Sequence, residues 1–167
     1  LIQKLDNSDS IIFYSEQGFS RRLSWKELDL QVSKISFYFN KNKIKKGDRI
    51  VGILPNIPET VISFLASAKI GAIWSSCSAD FGPKAIIDRF RQIKPKILIV
   101  TDYYYYNNKK INTLDNVQKI LQKLPSVKNI IIIPYDYINK KYKVNFKYNN
   151  WLDILDSNLT IKKYKKF

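Results

Sequence analysis

Three short apolar runs limit the fold more than anything else in the chain: Arg49 to Leu54, Lys96 to Thr101, and Asn129 to Ile133. Each is the length of a strand and continuously apolar, the pattern of strands buried on both faces. Between them lie stretches of 10 to 15 residues with helical spacing. Behind Pro55, Asn56 can cap a helix with Pro58 in its first turn and Glu59 near the positive end of the dipole, and Ile57, Val61, Leu65 and Ala68 line its inner face. Gly71 is its C-terminal stop. Ala72 to Trp74 suit a fourth strand. Ile86, Phe90 and Ile93 mark the next helix before Pro95, and Leu114, Val117, Leu121 and Leu124 mark another before Pro125. Strand and helix in alternation specify an α/β fold: a parallel sheet with right-handed crossovers and helices on both faces, doubly wound.

The flanks are weaker in pattern. Ile11 to Tyr14 and Arg21 to Leu23 read as two strands around the turn at Gly18. Ser24 and Glu27 have the spacing of a capping box, and Trp25, Leu28, Val32, Ile35 and Phe39 give the helix behind it one apolar stripe ending near Asn40 to Asn42. Tyr135 to Tyr148 alternates aromatic and basic residues and suits a hairpin, and Trp151 to Leu155 a helical turn. Residues 157–167 are Lys-rich without period and read as an irregular tail, so the parallel core is placed at about 24–134. No linker divides the chain into two domains.

Composition excludes several chemistries. There is no histidine, hence no Ser-His or Cys-His nucleophile pair and no histidine metal ligand. Neither G-x-x-x-x-G-K-[ST] nor G-x-G-x-x-G occurs, and five glycines are too few for a phosphate cradle. Acidic residues stand singly. Cys77 is alone, which argues against disulfides and fits a reducing, cytoplasmic setting. No apolar run reaches the ~20 residues of a membrane span. The net charge of +15 raises nucleic-acid binding, but only five of the basic residues are Arg. The lysines are scattered and travel with Ile, Asn and Tyr, a bias that A/T-rich codons produce without a partner. The chain has no methionine, so Leu1 is expected to be a cut point within a longer protein.

The stretch from Gly71 to Phe90 invites a ligand. Ser75 to Ser78 are small and hydroxylated, so a ligand can approach the backbone there, and Asp80 can cap the helix beginning at Gly82-Pro83. An ordinary strand-to-helix turn explains the same spacing. The wording is more specific. Gly47-Asp48-Arg49, Pro55-Asn56-Ile57-Pro58-Glu59, Trp74-Ser75-Ser76-Cys77-Ser78-Ala79-Asp80-Phe81-Gly82 and Asp88-Arg89-Phe90 resemble the adenylate-forming acyl-CoA synthetases, and within them the acetoacetyl-CoA synthetases. Ala79 departs from the proline usual there. The resemblance runs from about Ile11 to about Trp151.

It implies a partial N-terminal adenylation (AMP-binding) domain across 1–167, incomplete as a subdomain. The parent would be an acid–thiol ligase using acetoacetate, ATP, CoA and Mg. Acetyl- or propionyl-CoA synthetases are neighbouring alternatives, and a non-catalytic α/β module binding a nucleotide or RNA is a third. The phosphate loop of such enzymes lies downstream of the matched region, so this stretch alone is expected to make no adenylate and to need the rest of its own chain. By the same resemblance, Ser78, Ala79, Asp80 and Phe81 would lie by the pantetheine channel. Tyr106, Asn107, Asn108 and Lys109 would lie at the 3′-phosphate and adenine end of CoA. Tyr106 stands where acetyl-type enzymes carry arginine, and Asn107 and Asn108 replace glycines. Four tyrosines in a row are also what compositional drift in a solvent loop produces. No catalytic residue and no metal ligand is assigned to the chain.

Overall fold

The apolar runs bounded by turn residues become strands in the computed structural model, which describes residues 4–157. With the two-residue polar strand β9 (Asn149–Asn150), the strands β3 (Arg49–Ile53), β4 (Ile73–Cys77), β5 (Ile97–Thr101) and β8 (Asn129–Ile133) form one parallel sheet in the order β4-β3-β5-β8-β9. Side chains alternate across it as the pleat requires. Ile50, Ile97, Ile99, Ile131 and Ile133 face α1 (Trp25–Lys41), α2 (Pro58–Lys69) and α5 (Trp151–Asp156). Val51, Ile53, Leu98, Val100 and Ile132 face α3 (Pro83–Arg91) and α4 (Leu114–Gln122). From β3 the chain moves outward through α2 to β4, then back through α3 and α4 to β5 and β8. One handedness for all three crossovers therefore puts α2 on one face and α3 and α4 on the other. The direction of travel reverses between β3 and β5, and the crevice beyond the strand ends at such a point is where ligands bind in doubly wound sheets.

Two antiparallel hairpins stand outside the sheet: β1 (Asp9–Tyr14) with β2 (Ser20–Ser24), and β6 (Tyr103–Tyr106) with β7 (Lys109–Asn112). The second occupies the stretch read from sequence as a loop. Its tyrosines alternate in orientation, so they are a strand with two occupied faces.

Other local expectations shift. The cap of α2 is Ile57, with no side-chain bond, in place of Asn56. Its buried face is Ile62, Ser63, Ala66 and Ser67, one residue round from the expected stripe, and Val61 is exposed. Small residues win that face because α2 packs on α1, which buries Ser33 and Ser36. Glu59 is 1% exposed and meets Arg21 Nη2 at 2.6 and 2.7 Å, with Tyr137 stacked 4.3 Å from the guanidinium. Tyr135 to Tyr148 forms no hairpin. Tyr142 N donates instead to the Tyr148 hydroxyl at 2.8 Å. The packed core runs past 134, since Trp151 is fully buried in α5. Of the expected tail, residues 158–167 lie outside the described residues. Among the described residues no helix is long and apolar enough to cross a membrane.

Candidate functional site

Strand β4 ends at Cys77, later than expected, so Ser75 and Ser76 are hydrogen-bonded to β3 rather than free to meet a ligand. Trp74 lies over Gly52, where an added Cβ would stand 2.7 Å from the indole Cη2; its role is strand packing. Cys77 is buried, and that burial pushes its thiol up to about 11, which keeps it a protonated, unreactive group at neutral pH.

The polar turn begins at Ser78, whose carbonyl accepts from Phe81 N at 3.3 Å. Asp80 does not cap α3. Gly82 takes that position with no side-chain bond, and Pro83 supplies the preset first turn. Asp80 faces the β6–β7 hairpin instead. Burial raises the Tyr104 phenol, and the nearby charge of Asp80 raises it further. Ala79, Asp80, Phe81 and Gly82 line a cavity of about 140 Å3 opposite Tyr104, Ile111 and Thr113, with Ile53 and Ile86 also in the wall. That is below the ~300 Å3 at which small-molecule pockets begin, so the feature is a rim and not an enclosure.

The hairpin itself is a two-residue connection with both central residues left-handed, Asn107 at φ 49° and Asn108 at φ 59°. This is the geometry of a type I′ turn, and Asn accepts it better than any residue but Gly. Tyr103 and Tyr105 pack on Tyr135 at 5.3 and 5.8 Å between ring centroids. Tyr104 and Tyr106 turn to the opposite side, Tyr104 buried and Tyr106 63% exposed. Lys110 Nζ lies 3.7 Å from the Tyr103 ring, whereas Lys109, paired across the ladder with Tyr106, is exposed.

The structure thus gathers Ala79, Asp80 and Phe81 at the root of the hairpin, beside Tyr104. Tyr106, Asn107, Asn108 and Lys109 form the tip, two or more strand residues farther out, ~7 Å or more along the strand. Ser78 opens the turn but does not line the cavity.

Sequence reasoning missed Asp102, which stands 5% exposed at the end of β5, where the chain direction reverses. Its Oδ1 accepts from Tyr103 N at 2.9 Å and Tyr135 N at 2.8 Å. Its Oδ2 takes Lys140 Nζ at 2.9 Å and the Tyr142 hydroxyl at 3.2 Å. Lys140 also bonds Asp136 at 3.0 Å; burial works against its charge, but the two carboxylates outweigh that and raise it. A single Asp after a strand carries no spacing signal. Four residues of high strand propensity before Asn-Asn, a pair that tolerates the left-handed turn, are a local signal of the hairpin.

With this geometry, comparison with known proteins is decisive at one level. The family model described as AMP-binding enzyme matches residues 4–159. The chain belongs to the AMP-binding enzyme family. Within it, acetoacetyl-coenzyme A synthetase of Rhizobium meliloti is 42% identical over 135 residues, 81% of this chain and 20% of that protein. Acetoacetyl-CoA synthetase of Mus musculus is 35% identical over 147 residues, 87% of this chain and 22% of that one. The solved acetoacetyl-CoA synthetase from Streptomyces lividans superposes with a TM-score of 0.83 at 29% identity, covering 92% of this chain and 23% of its own. The chain spans about one fifth of the length of these relatives.

Proposed function

We propose that this chain is the N-terminal part of an AMP-forming acetoacetate–CoA ligase, and that its share of the work is one rim of the CoA site. The whole protein would join acetoacetate to AMP from ATP with release of pyrophosphate, then let the CoA thiol displace AMP. A carboxylate is a poor electrophile, and the mixed anhydride supplies the leaving group. The observation that carries the reading is the convergence of the turn at Ala79 to Phe81 and the β6–β7 hairpin on one cavity at the carboxyl edge of a parallel sheet. Relatives named acetoacetyl-CoA synthetase support the acid.

In this reading Lys109 presents a point charge to the 3′-phosphate of CoA and the exposed Tyr106 ring a stacking face to its adenine, while the small Ala79 and the turn around it admit the pantetheine arm. No residue of this chain is assigned to the ATP phosphates or Mg, since the chain has no glycine-rich loop to cradle a triphosphate. Their seats belong to the rest of the polypeptide, which is this chain's first partner. A cytoplasmic location accords with a single buried thiol.

The test uses the protein encoded by the complete reading frame. Lys109→Ala should raise the KM for CoA about tenfold, the effect of one lost charged hydrogen bond, and leave acetoacetate-dependent ATP–pyrophosphate exchange intact. An unchanged KM removes the hairpin from the CoA site. Faster exchange with acetate or propionate than with acetoacetate moves the protein to those acids.

A further inference from the structure

The tip of the β6–β7 hairpin is held from outside. Asn107 and Asn108 both occupy the left-handed region, where a side chain is strained and glycine is not. Two bonds reach Asn108 from a turn about ninety residues earlier. Gln17 Nε2 donates to Asn108 Oδ1 at 3.1 Å, and Asn108 N donates to Glu16 Oε2 at 3.0 Å. The Gln17 donor and the Glu16 acceptor belong to the β1–β2 connection, which is itself braced. Ser15 N donates to Phe19 O at 2.8 Å, Gly18 N to Ser15 O at 3.1 Å, and Phe19 N to Ser15 Oγ at 3.1 Å.

Beneath these bonds the two hairpins share an aromatic wall. Phe13 packs edge-on against Phe19 and Tyr135, each at 6.3 Å, and Tyr135 packs on Tyr103 and Tyr105. The wall fixes the hairpins side by side, and the polar pair then fixes the last two residues of the tip. Among the described residues neither Glu16 nor Lys109 enters an ion pair.

We propose that Glu16 and Gln17 are positioning residues: the β1–β2 turn clamps the Asn107-Asn108 turn and so sets where Tyr106 and Lys109 meet CoA. This rests on the reading of the hairpin as part of the CoA rim. The clamp compensates for asparagines in a turn that glycines would hold unaided, and it ties CoA affinity to residues that need not touch CoA.

The experiment again uses the protein from the complete reading frame, assayed for thioester formation against CoA and for ATP–pyrophosphate exchange. Glu16→Ala with Gln17→Ala should raise the KM for CoA about three- to tenfold, as loss of one or two exposed hydrogen bonds would, with kcat and exchange unchanged. Glu16→Gln alone should stay near the parent, because an amide oxygen still accepts from Asn108 N. Adding Asn108→Gly to the double variant should restore the KM, since glycine holds the turn without the clamp. An unmoved KM in the double variant, with Lys109→Ala still raising it, overturns the clamp and leaves the CoA rim standing. An unmoved KM in both ends the CoA reading and the clamp with it. Loss of exchange alongside the KM, without rescue by Asn108→Gly, shows general damage and overturns the positioning role.

Discussion

Asp102 gathers four donors onto two oxygens and, at that single residue, ties the end of β5 to the hairpin, to Tyr135 and to the stretch carrying Lys140 and Tyr142. Removing a carboxylate from such a position costs more than the bonds it makes, because the buried partners stay behind. Tyr103 N and Tyr135 N would have no acceptor, and Lys140 would keep only Asp136. Asp102→Ala should therefore lower the unfolding free energy by about 3 kcal/mol, read from urea denaturation. Asp102→Asn should cost less, since its amide oxygen still accepts from both backbone groups, although its NH2 then faces the ammonium. Equal costs for the two variants would show that the charge, not the acceptor, is what matters. Such a hub is invisible in sequence because its partners are 1 to 40 residues away with no fixed period. Arg21 and Glu59 escape notice for the same reason. The dipole argument set Glu59 near the positive end of α2, where it stands in the first turn, but gave no hint of the guanidinium of a different element that covers it.

Elements with their own period were legible. Strand β8 runs over the residues its apolar run marks, and α1 carries both halves of its capping box: Glu27 N donates to Ser24 Oγ at 3.2 Å and Ser24 N to Glu27 Oε2 at 2.8 Å. Ser24→Ala should cost about 1 kcal/mol of stability at neutral pH. The box also titrates. Hydrogen bonds from the Ser24 backbone and hydroxyl hold the Glu27 carboxyl below its ordinary 4.5. A depressed folded-state value means the unfolded chain binds the proton more tightly, so this contribution is whole above pH 4.5 and fades as pH falls through the lowered value. Glu27→Gln should flatten that acid dependence in pH-resolved melts, and an unchanged slope would assign it to other carboxylates. Where period and packing disagreed, packing won. The face of α2 turned by one residue: Ser63, Ala66 and Ser67 are small enough for close packing on α1, while Val61 is left exposed and Leu65 half-buried at the margin of the core. The hairpin was overlooked because a run of one residue type has no visible alternation, even when the structure alternates its faces. The cavity-lining residues Ala79 to Phe81 stand out in sequence by their wording, while Tyr104 and Thr113 opposite them carry none of their own.

At the scale of the whole molecule, the two edges of the sheet differ. Strand β9 is short and followed at once by α5, but β4 offers its outer edge over Ile73 to Cys77 with no strand beside it among the described residues. Ile73 is 52% exposed there, and α2 adds Phe64 at 49%. An open edge lined by apolar side chains is a template for pairing with another chain. Against it stands a net charge of +15, which repels a second copy. Salt decides between them. The screening length is about 10 Å at 0.1 M and about 3 Å at 1 M, whereas strand pairing acts over hydrogen-bond distance and is not screened. The 167-residue chain on its own should therefore be monomeric in dilute buffer and associate as NaCl is raised, as light scattering would show. Ile73→Lys puts a charge on the edge itself and should hold the monomer to higher salt without altering the circular dichroism. If added salt leaves the parent monomeric, the β4 edge is already protected and the exposed residues beside it are too few to matter. If the parent associates and Ile73→Lys does so equally, the contact lies on another face, and the apolar strip at β4 is not what drives it.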